Sequence, residues 1–327
     1  MDLQNLPKIS VLVITYNHEK YLEQALEGIL NQKVEAQLEI IIADDHSCDK
    51  TLEIAKRYQA NHPELFQVLP SEKNLGHTHN YERAWKCASG QFIAHCDGDD
   101  YWTDPLKLSK QLHFLQTHPE YSSCSHKMWA ISEDEGSYHG PIPRTEQTDF
   151  TTEDLLEACF PHNCSLLFRN RLFTELPPFF HELTGHDWCV SVLNSFQGPI
   201  KIFPETMGVW RMRSQGLWGG RQATFHLKHG IHFLEKMGPY LPQNALTARE
   251  NNLVIHRFRL AQEYLGLGEI ELAKDTLAQI HPWKGLSLIP KRQWFSVVAQ
   301  IKFPELYRPL RAMRDQLLGK PLSKYSK

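Results

Sequence analysis

The sequence predicts an α/β fold, a mainly parallel sheet flanked by helices, with an all-helical extension at the C-terminal end. Short β-branched apolar runs alternate with amphipathic stretches over the first hundred positions, and beyond about Thr224 only helical patterns remain. Such alternation is typical of βαβ units, which build parallel sheets. We expect a main domain over 1–220, a helical appendage over 221–283 and a basic, aromatic-rich tail over 284–327.

The elements at the start of the main domain follow a regular order. Strands are predicted where β-branched residues cluster, and helices where apolar residues recur every three or four positions. Gly90 is a helix stop signal. The predicted order is strand 9–16, helix 19–32, strand 38–43, helix 50–61, strand 65–70, helix 77–89 and strand 91–96.

The rest of the main domain is less regular. Residues 132–149 are polar and predict a loop. The segments after it are a capped helix over 151–160, a strand over 164–169, a helix within 185–198 that begins around Asp187, and a strand or hairpin over 200–213.

The C-terminal extension contains two amphipathic helices in 259–282, which meet around Gly266 and Gly268. Their spacing is that of one tetratricopeptide repeat. A single repeat cannot bury its own apolar face, so we expect an appendage packed on the main domain rather than a solenoid.

Three polar clusters follow predicted strands: Thr15-Tyr16-Asn17, Asp44-Asp45 and Asp97-Gly98-Asp99-Asp100. Because crossovers in parallel sheets are right-handed, the carboxyl ends of these strands share one edge. Ligands of open α/β sheets bind at that edge. The three clusters therefore predict a binding site.

The acidic cluster predicts a cation partner. Like charges this close repel one another wherever they are held out of bulk water. A surface Asx/Gly turn is the alternative interpretation of this stretch taken alone, since Gly98 permits a tight turn.

Five stretches carry a resemblance to a known family: "VLVITYN", "IIIADDHSCDKT", "NLGHTHNYERAWKCASGQFIAHCDGDD", "GHDW" and "VWRMRSQGLW". In this order they resemble family 2 glycosyltransferases, which have the GT-A fold and transfer sugars with inversion. The resemblance covers roughly Lys8 to Gly220.

The resemblance implies a divalent cation, Mn²⁺ or Mg²⁺, and no organic cofactor. Asp97 and Asp99 match the DxD motif of the family. Asp97 should lie near the ribose or the metal, Asp99 should be the main metal ligand, and Asp100 should either support the metal ligands or be structural. Such an ion neutralises the diphosphate that leaves.

The resemblance also implies a nucleotide pocket. Asp45, rather than Asp44, should accept the N3–H of a uracil base, and Thr15, Tyr16 and Asn17 should bind the same donor. Helix capping together with Ser47 is the alternative role for the two aspartates, and a core or rim position is the alternative for Tyr16.

By the same resemblance Asp187 is the general base that deprotonates the acceptor hydroxyl. Its alternative role is a plain helix cap. His186 and Trp188 beside it, and Trp102 after the acidic cluster, are candidates for contact with the acceptor, although Trp102 could equally be core and His186 a bystander.

One position departs from the family pattern. Many relatives read "YRxH" where this chain reads Trp210-Arg211-Met212-Arg213. Arg213 replaces a histidine often placed near the metal or the diphosphate. Arginine cannot ligate a cation but can hold a diphosphate bidentately, so Arg213 is a donor-binding candidate and metal dependence becomes less certain.

Composition excludes several classes of protein. The net charge of −3 gives no basic field for nucleic acid. Seven cysteines without a CxxC pair indicate neither a disulfide framework nor a zinc site and fit a reducing cytoplasm. No signal peptide or membrane-spanning run is apparent in the sequence.

The basic, aromatic-rich tail predicts a possible membrane contact. Residues 284–327 hold ten Lys/Arg against two Asp/Glu, interleaved with aromatic residues. Such a segment suits an anionic membrane surface, so we expect a cytoplasmic protein with peripheral contact at the inner face. The alternative is a terminal helix with a solvated basic face.

These observations together predict an inverting glycosyltransferase that uses a nucleoside diphosphate sugar, most simply a UDP-sugar. Its acceptor would be a glycan, lipid-linked or protein-linked hydroxyl in bacterial surface polysaccharide, lipopolysaccharide or glycoprotein synthesis. A sugar nucleotidyltransferase is the first rival, but the stretch after the first strand lacks its glycine-rich loop. A degenerate, non-catalytic scaffold is the second.

Overall fold

The computed structural model describes residues 6–133, 136–158, 161–214, 216–303 and 305. The chain divides into two compact units, residues 1–220 and 221–327. The two units are described separately below.

The first half of the N-terminal unit consists of alternating strands and helices, in the order that the sequence predicts. Its elements are β1 (Lys8–Thr15), α1 (Leu22–Leu30), β2 (Gln37–Asp44), α2 (Thr51–Asn61), β3 (Phe66–Leu69), α3 (His77–Cys87) and β4 (Phe92–His95).

Four strands in the second half of this unit were not predicted: β5 (Tyr101–Trp102), β6 (Ser123–Ser132), β7 (Ser137–Ile142) and β8 (Asp149–Phe150). Strand β6 pairs with β7, which lies inside the stretch predicted as a loop over 132–149. The polar residues of β7 are at the margin of the sheet, so they lack the apolar alternation that marks a buried strand. The elements are β5 (Tyr101–Trp102), α4 (Lys107–Thr117), β6 (Ser123–Ser132), β7 (Ser137–Ile142), β8 (Asp149–Phe150), α5 (Thr152–Glu157), β9 (Leu167–Arg169), α6 (Asp187–Ser195) and β10 (Ile200–Met212).

The strands form one mixed sheet in the order β3-β2-β1-β4-β9-β6-β10-β5, with β7 beside β6 and β8 beside β10. The pairs β3–β2, β2–β1, β1–β4 and β6–β10 are parallel, and β9 is antiparallel to both β4 and β6. Because β9 is antiparallel to both of its neighbours, β6 and β10 run in the same direction as β1 to β4. The mainly parallel α/β fold is confirmed.

The core of this unit lies between the sheet and its helices. All residues of β1 after Lys8 are buried, because β1 is a central strand covered on both faces. Helix α1 buries one stripe against the sheet, formed by Leu22, Ala25, Leu26 and Ile29.

The C-terminal unit is helical: α7 (Ala223–Met237), α8 (Leu246–Leu267), α9 (Ile270–Ala278), α10 (Pro282–Leu288) and α11 (Lys291–Lys302). Gly268 ends α8 in the left-handed conformation, with φ of 82°. Helices on both sides of residue 283 share a core that includes Phe258 and Trp294. In the part of the chain that the structure describes, none of the helices has the length and hydrophobicity that crossing a bilayer requires.

The rest of the predicted basic tail, from residue 306 onward, lies outside the described residues.

Candidate active site

The polar clusters meet at one edge of the sheet, because β1, β2, β4 and β10 run in the same direction. Thr15 lies directly beside Asp44 in the register of β1 and β2. Gly98, after β4, donates its backbone N–H to Ile14 at 3.0 Å. Arg213 follows the end of β10 at the same edge.

Gly98 is required here for space rather than for an unusual turn. Its φ is outside the left-handed region, whereas a Cβ at this position would lie 2.6 Å from Thr15 Cγ2 and 2.9 Å from His18 Nδ1. The acidic turn, closed by the Asp100 N–H bond to Asp97 O at 3.0 Å, therefore packs directly on the end of β1.

Asp44 braces the loop after β2. Its carboxylate accepts hydrogen bonds from the Ser47 hydroxyl at 2.6 Å and the Ser47 N–H at 3.1 Å, and from Thr15 Oγ1 at 3.3 Å. These hydrogen bonds with Ser47 resemble the helix-capping role that is the alternative to nucleotide binding for Asp44.

Asp45 joins β2 to the loop before α3. Its two carboxylate oxygens accept the backbone N–H groups of Leu75 at 2.7 Å and Gly76 at 2.9 Å. Each oxygen keeps a second lone pair for a further donor.

Tyr16 and Asn17 differ in their surroundings. The Tyr16 side chain is 46% exposed, so its ring is open to a ligand. Asn17 has a left-handed φ of 55°, and its side-chain oxygen accepts the Cys48 N–H at 2.9 Å. Asn17 thus holds the loops after β1 and β2 together.

Asp97 is a partly buried carboxylate of the acidic turn. Burial raises the pKa of Asp97 to about 7, helped by the charges of Asp99 and Asp187 and opposed by a hydrogen bond from Asn163. Asn163 Nδ2 donates to Asp97 Oδ2 at 2.9 Å, and Asp97 Oδ1 is buried with no partner among the described residues. A buried carboxylate oxygen without a donor fits a cation ligand.

Asp99 lies in an ion-pair cluster. Its Oδ2 is 2.7 Å from Arg213 Nη2 and 3.6 Å from His18 Nε2. Burial alone would raise the pKa of Asp99, but His18 and Arg213 outweigh burial and lower it. Asp99 is therefore ionised and has a built-in positive partner.

Asp100 is fully enclosed. It accepts hydrogen bonds from the Arg211 N–H at 2.9 Å and from Cys164 Sγ at 3.1 Å. Burial, Asp99 and Asp97 raise the pKa of Asp100 well above its usual value. Ligand atoms of Asp100, His162 and Cys164 lie within 4.8 Å of one another, a grouping that could also hold a metal ion.

Asp187 is the first residue of α6, where the helix dipole favours a negative charge. Burial raises the pKa of Asp187, and hydrogen bonds from the backbone N–H groups of Trp188 and of Asp187 itself oppose that shift. Its charge also contributes to the raised pKa of Asp97. Gly185 leaves room for the Trp218 ring, since a Cβ there would lie 2.9 Å from Trp218 Cζ2.

The three acceptor candidates are all buried, which corrects the expectation that they present rings to an acceptor. Trp102 belongs to the core, with Lys107 Nζ 3.9 Å from the centre of its ring. Trp188 Nε1 donates to Leu155 O at 2.6 Å. His186 is 1% exposed and stacks on Tyr81.

His186 instead belongs to a polar network that the sequence reasoning missed. His186 Nδ1 is 2.7 Å from His77 Nε2, and His186 Nε2 is 3.0 Å from Asn163 Oδ1. His95 also contacts this oxygen of Asn163. No local pattern indicates that Asn163 lies beside the acidic turn.

A family model now decides the classification. The model described as glycosyl transferase family 2 matches residues 10–176, just over half of the chain.

The chain belongs to glycosyltransferase family 2. An uncharacterised protein of Mycobacterium tuberculosis is 36% identical over 211 residues, which cover 64% of this chain and 60% of that protein. An uncharacterised glycosyltransferase of Nostoc sp. is 26% identical over 212 residues, covering 63% of this chain and 65% of the relative. This chain therefore spans about 60% of the length of the first of these curated relatives.

Solved structures place this family 2 chain in the GT-A fold. TarS of S. aureus in complex with UDP-GlcNAc has a TM-score of 0.67 at 19% identity, covering 96% of this chain and 92% of that one. A mannosyltransferase of Pyrobaculum calidifontis, solved with GDP-Man and Mn²⁺, has a TM-score of 0.58 at 15% identity, covering 93% and 89%. The predicted family and fold are confirmed, and the roles of individual residues stay predictions.

Proposed function

We propose that this protein transfers a sugar from a nucleoside diphosphate sugar, most simply a UDP-sugar, to an acceptor hydroxyl with inversion. The observation that carries the proposal is the placement of Asp97 and Asp99 at the carboxyl edge of the sheet, beside Arg213, with Asp187 close enough for its charge to raise the pKa of Asp97. The UDP-GlcNAc bound by TarS supports the choice of donor class.

Asp97 and Asp99 would hold a divalent cation, Mn²⁺ or Mg²⁺. The unpartnered Oδ1 of Asp97 and the ionised state of Asp99 fit this assignment. When bound, such an ion neutralises the charge that develops on the diphosphate. The Mn²⁺ in the mannosyltransferase structure supports it.

Asp187 would act as the general base. The proton of the acceptor hydroxyl passes to the Asp187 carboxylate while the acceptor oxygen bonds to the anomeric carbon. The bond from that carbon to the diphosphate oxygen breaks, and the diphosphate leaves with the electron pair. Burial raises the pKa of Asp187, which makes its carboxylate a stronger base.

Asp45 and Tyr16 would recognise the base of the donor. Asp45 has a lone pair on each oxygen beyond its bonds to Leu75 and Gly76, which suits the N3–H of uracil. The exposed ring of Tyr16 offers a stacking surface. Thr15 and Asn17 would bind the donor beside them: Thr15 O accepts the Asp45 N–H at 3.0 Å, and the Asn17 N–H donates to Ser47 Oγ at 2.9 Å.

The acceptor would be a glycan, lipid-linked or protein-linked hydroxyl in bacterial surface polysaccharide, lipopolysaccharide or glycoprotein synthesis. The helical unit supports peripheral contact with an anionic membrane, because Trp283 and Phe295 are 77% and 58% exposed, near Lys291 and Arg292 in sequence. Phe295→Ser should weaken sedimentation with anionic vesicles but not with zwitterionic ones. Equal sedimentation of variant and wild type would remove this contact.

The activity is tested by screening sugar nucleotides for turnover with Mn²⁺ or Mg²⁺. Asp187→Asn should retain UDP affinity and lose turnover by about 100-fold or more, because only the proton acceptor is removed. Glu23→Gln is the matched control, since it removes an exposed carboxylate from the first turn of α1. Absence of UDP binding and of turnover with any donor would refute the transferase, and full activity of Asp187→Asn would exclude Asp187 as the base.

A further inference from the structure

Arg213 forms an ion pair with Asp99, the residue expected to bind the cation. Its Nη2 is 2.7 Å from Asp99 Oδ2, and less than a fifth of either side chain is exposed. An ion pair this sheltered from solvent is weakly screened, so it competes strongly with any other cation for the same oxygen.

The other contacts of Arg213 hold its guanidinium in place without using all of its donors. Nη2 also lies 3.0 Å from His18 Nε2. The guanidinium carbon lies 5.2 Å from the centre of the Tyr21 ring. Nε is buried and has no hydrogen-bond partner among the described residues. The present contacts therefore leave at least one N–H group of the guanidinium unsatisfied.

We propose that Arg213 is an exchangeable partner of Asp99: a divalent cation displaces it from this carboxylate, and the freed guanidinium then binds the diphosphate of the donor. This inference rests on the proposed function. It differs from a fixed role for Arg213, because the same side chain opposes cation binding before the donor arrives and supports donor binding afterwards.

The chemistry of the groups favours this exchange. A carboxylate oxygen satisfies a hard divalent cation, whereas guanidinium cannot ligate one. A diphosphate in turn matches the planar fork of guanidinium better than a single carboxylate oxygen does. After the exchange, the Asp99 carboxylate and the Arg213 guanidinium would each bind the ligand that suits it better.

The exchange couples the two ligands. A diphosphate that draws Arg213 away from Asp99 raises the affinity for the cation, and by thermodynamic reciprocity the cation raises the affinity for the diphosphate. A histidine at position 213 would lack this coupling, since neutral imidazole can ligate the cation instead of competing with it.

The test measures Mn²⁺ and UDP binding separately. Free Mn²⁺ is followed by electron paramagnetic resonance without nucleotide, and UDP binding by calorimetry at saturating Mn²⁺, where Arg213 is released from Asp99. Arg213→Gln should bind Mn²⁺ at least about fivefold more tightly, because Asp99 loses its competitor. The same variant should bind UDP about tenfold more weakly, because the diphosphate loses a bidentate donor.

Arg211→Gln is the matched control. It removes an equal charge from β10, but Arg211 contacts Asp99 only through the main-chain oxygen. Its Mn²⁺ affinity should stay near that of the wild type. An equal rise in both variants would mean that the local field, not an exchange of partners, governs the cation, and would overturn the proposal.

Unchanged or weaker Mn²⁺ binding by Arg213→Gln would also overturn it, as would no Mn²⁺ binding by any variant. If Mn²⁺ responds as expected while the wild type does not bind UDP, the transfer of Arg213 to a diphosphate and the proposed function both fail, and only the competition at Asp99 stands. Circular dichroism of each variant verifies folding.

Discussion

Asn163 Nδ2 donates a 2.9 Å hydrogen bond to Asp97 Oδ2, and this bond joins the acidic turn to a row of buried imidazoles. The oxygen of the same amide contacts His186 and His95. Both ends of the Asn163 side chain are thus fixed. The orientation of Asp97 depends on a residue 66 positions away in the sequence.

Asn163→Ala should weaken binding of Mn²⁺ and of UDP with Mn²⁺ by about tenfold, because a hydrogen bond to a charged group contributes roughly 1.5–3 kcal/mol. Calorimetry measures both affinities. Asn61→Ala, at an exposed position at the end of α2, is the control and should change neither. Wild-type affinities in Asn163→Ala would show that Asp97 does not need this support.

Gly98→Ala should disturb the acidic turn. The added Cβ would meet Thr15 Cγ2 at 2.6 Å and His18 Nδ1 at 2.9 Å, so the turn must shift away from β1. Overpacking of this kind costs about 1–3 kcal/mol, and we expect a lower Tm together with weaker UDP binding.

Gly266→Ala is the control for this substitution, since nothing lies within 4 Å of its Cβ position inside α8. It should keep or slightly raise the Tm, because alanine has the higher helix propensity. A Gly98→Ala variant as stable as the wild type and with unchanged UDP affinity would contradict the tight packing of the turn on β1.

The sequence predicts the parts of this fold that local patterns control. The strands β1 and β2 and the apolar stripe of α1 can be recognised in the sequence. Their apolar residues follow one another, or recur, in the pattern expected for a buried strand or an amphipathic helix. The acidic turn is visible because three carboxylates follow one buried strand. These features place Asp45, Asp97 and Asp99 at the edge of the sheet.

Other features depend on topology and have no local signal. Strand β9 enters antiparallel between β4 and β6, and this insertion brings the segment of Asn163 next to the acidic turn. The burial of Trp102 and Trp188 is likewise set by partners on distant elements, Cys164 O and Leu155 O. An aromatic residue beside a motif is equally compatible with a core or a rim position until those partners are known.

Lys107 makes the stability of the protein depend on pH. Burial lowers its pKa from 10.5 to about 7. Between these values the unfolded chain binds a proton that the folded protein does not, so Lys107 makes the free energy of unfolding rise as pH rises from about 7 to about 10.5. Nζ has no hydrogen-bond partner among the described residues, although it lies over the Trp102 ring.

Lys107→Met should therefore be more stable than the wild type at pH 7, by ~2 kcal/mol, and the difference should shrink toward pH 10. Urea unfolding at several pH values measures this difference. Lys110→Met, which removes a half-exposed lysine of the same helix, should show no such convergence. A pH-independent difference for Lys107→Met would mean that the buried amine keeps its ordinary pKa.

Tyr16→Ala should separate recognition of the base from recognition of the diphosphate. The Tyr16 ring is exposed, so its removal costs little stability, whereas a lost stacking contact with a base weakens binding by about 1–3 kcal/mol. We expect UDP affinity to fall about tenfold while inorganic diphosphate binds as in the wild type. Arg213→Gln should weaken both ligands, because its guanidinium addresses the phosphates that they share.

Tyr138→Ala, which removes an exposed ring from β7, is the control and should affect neither ligand. Equal losses of UDP and diphosphate binding in Tyr16→Ala would place the ring near the phosphates. Unchanged binding of both would leave Asp45 as the sole candidate for reading the base. Only a loss confined to UDP fits a nucleotide lying with its base over Tyr16 and its phosphates toward Arg213.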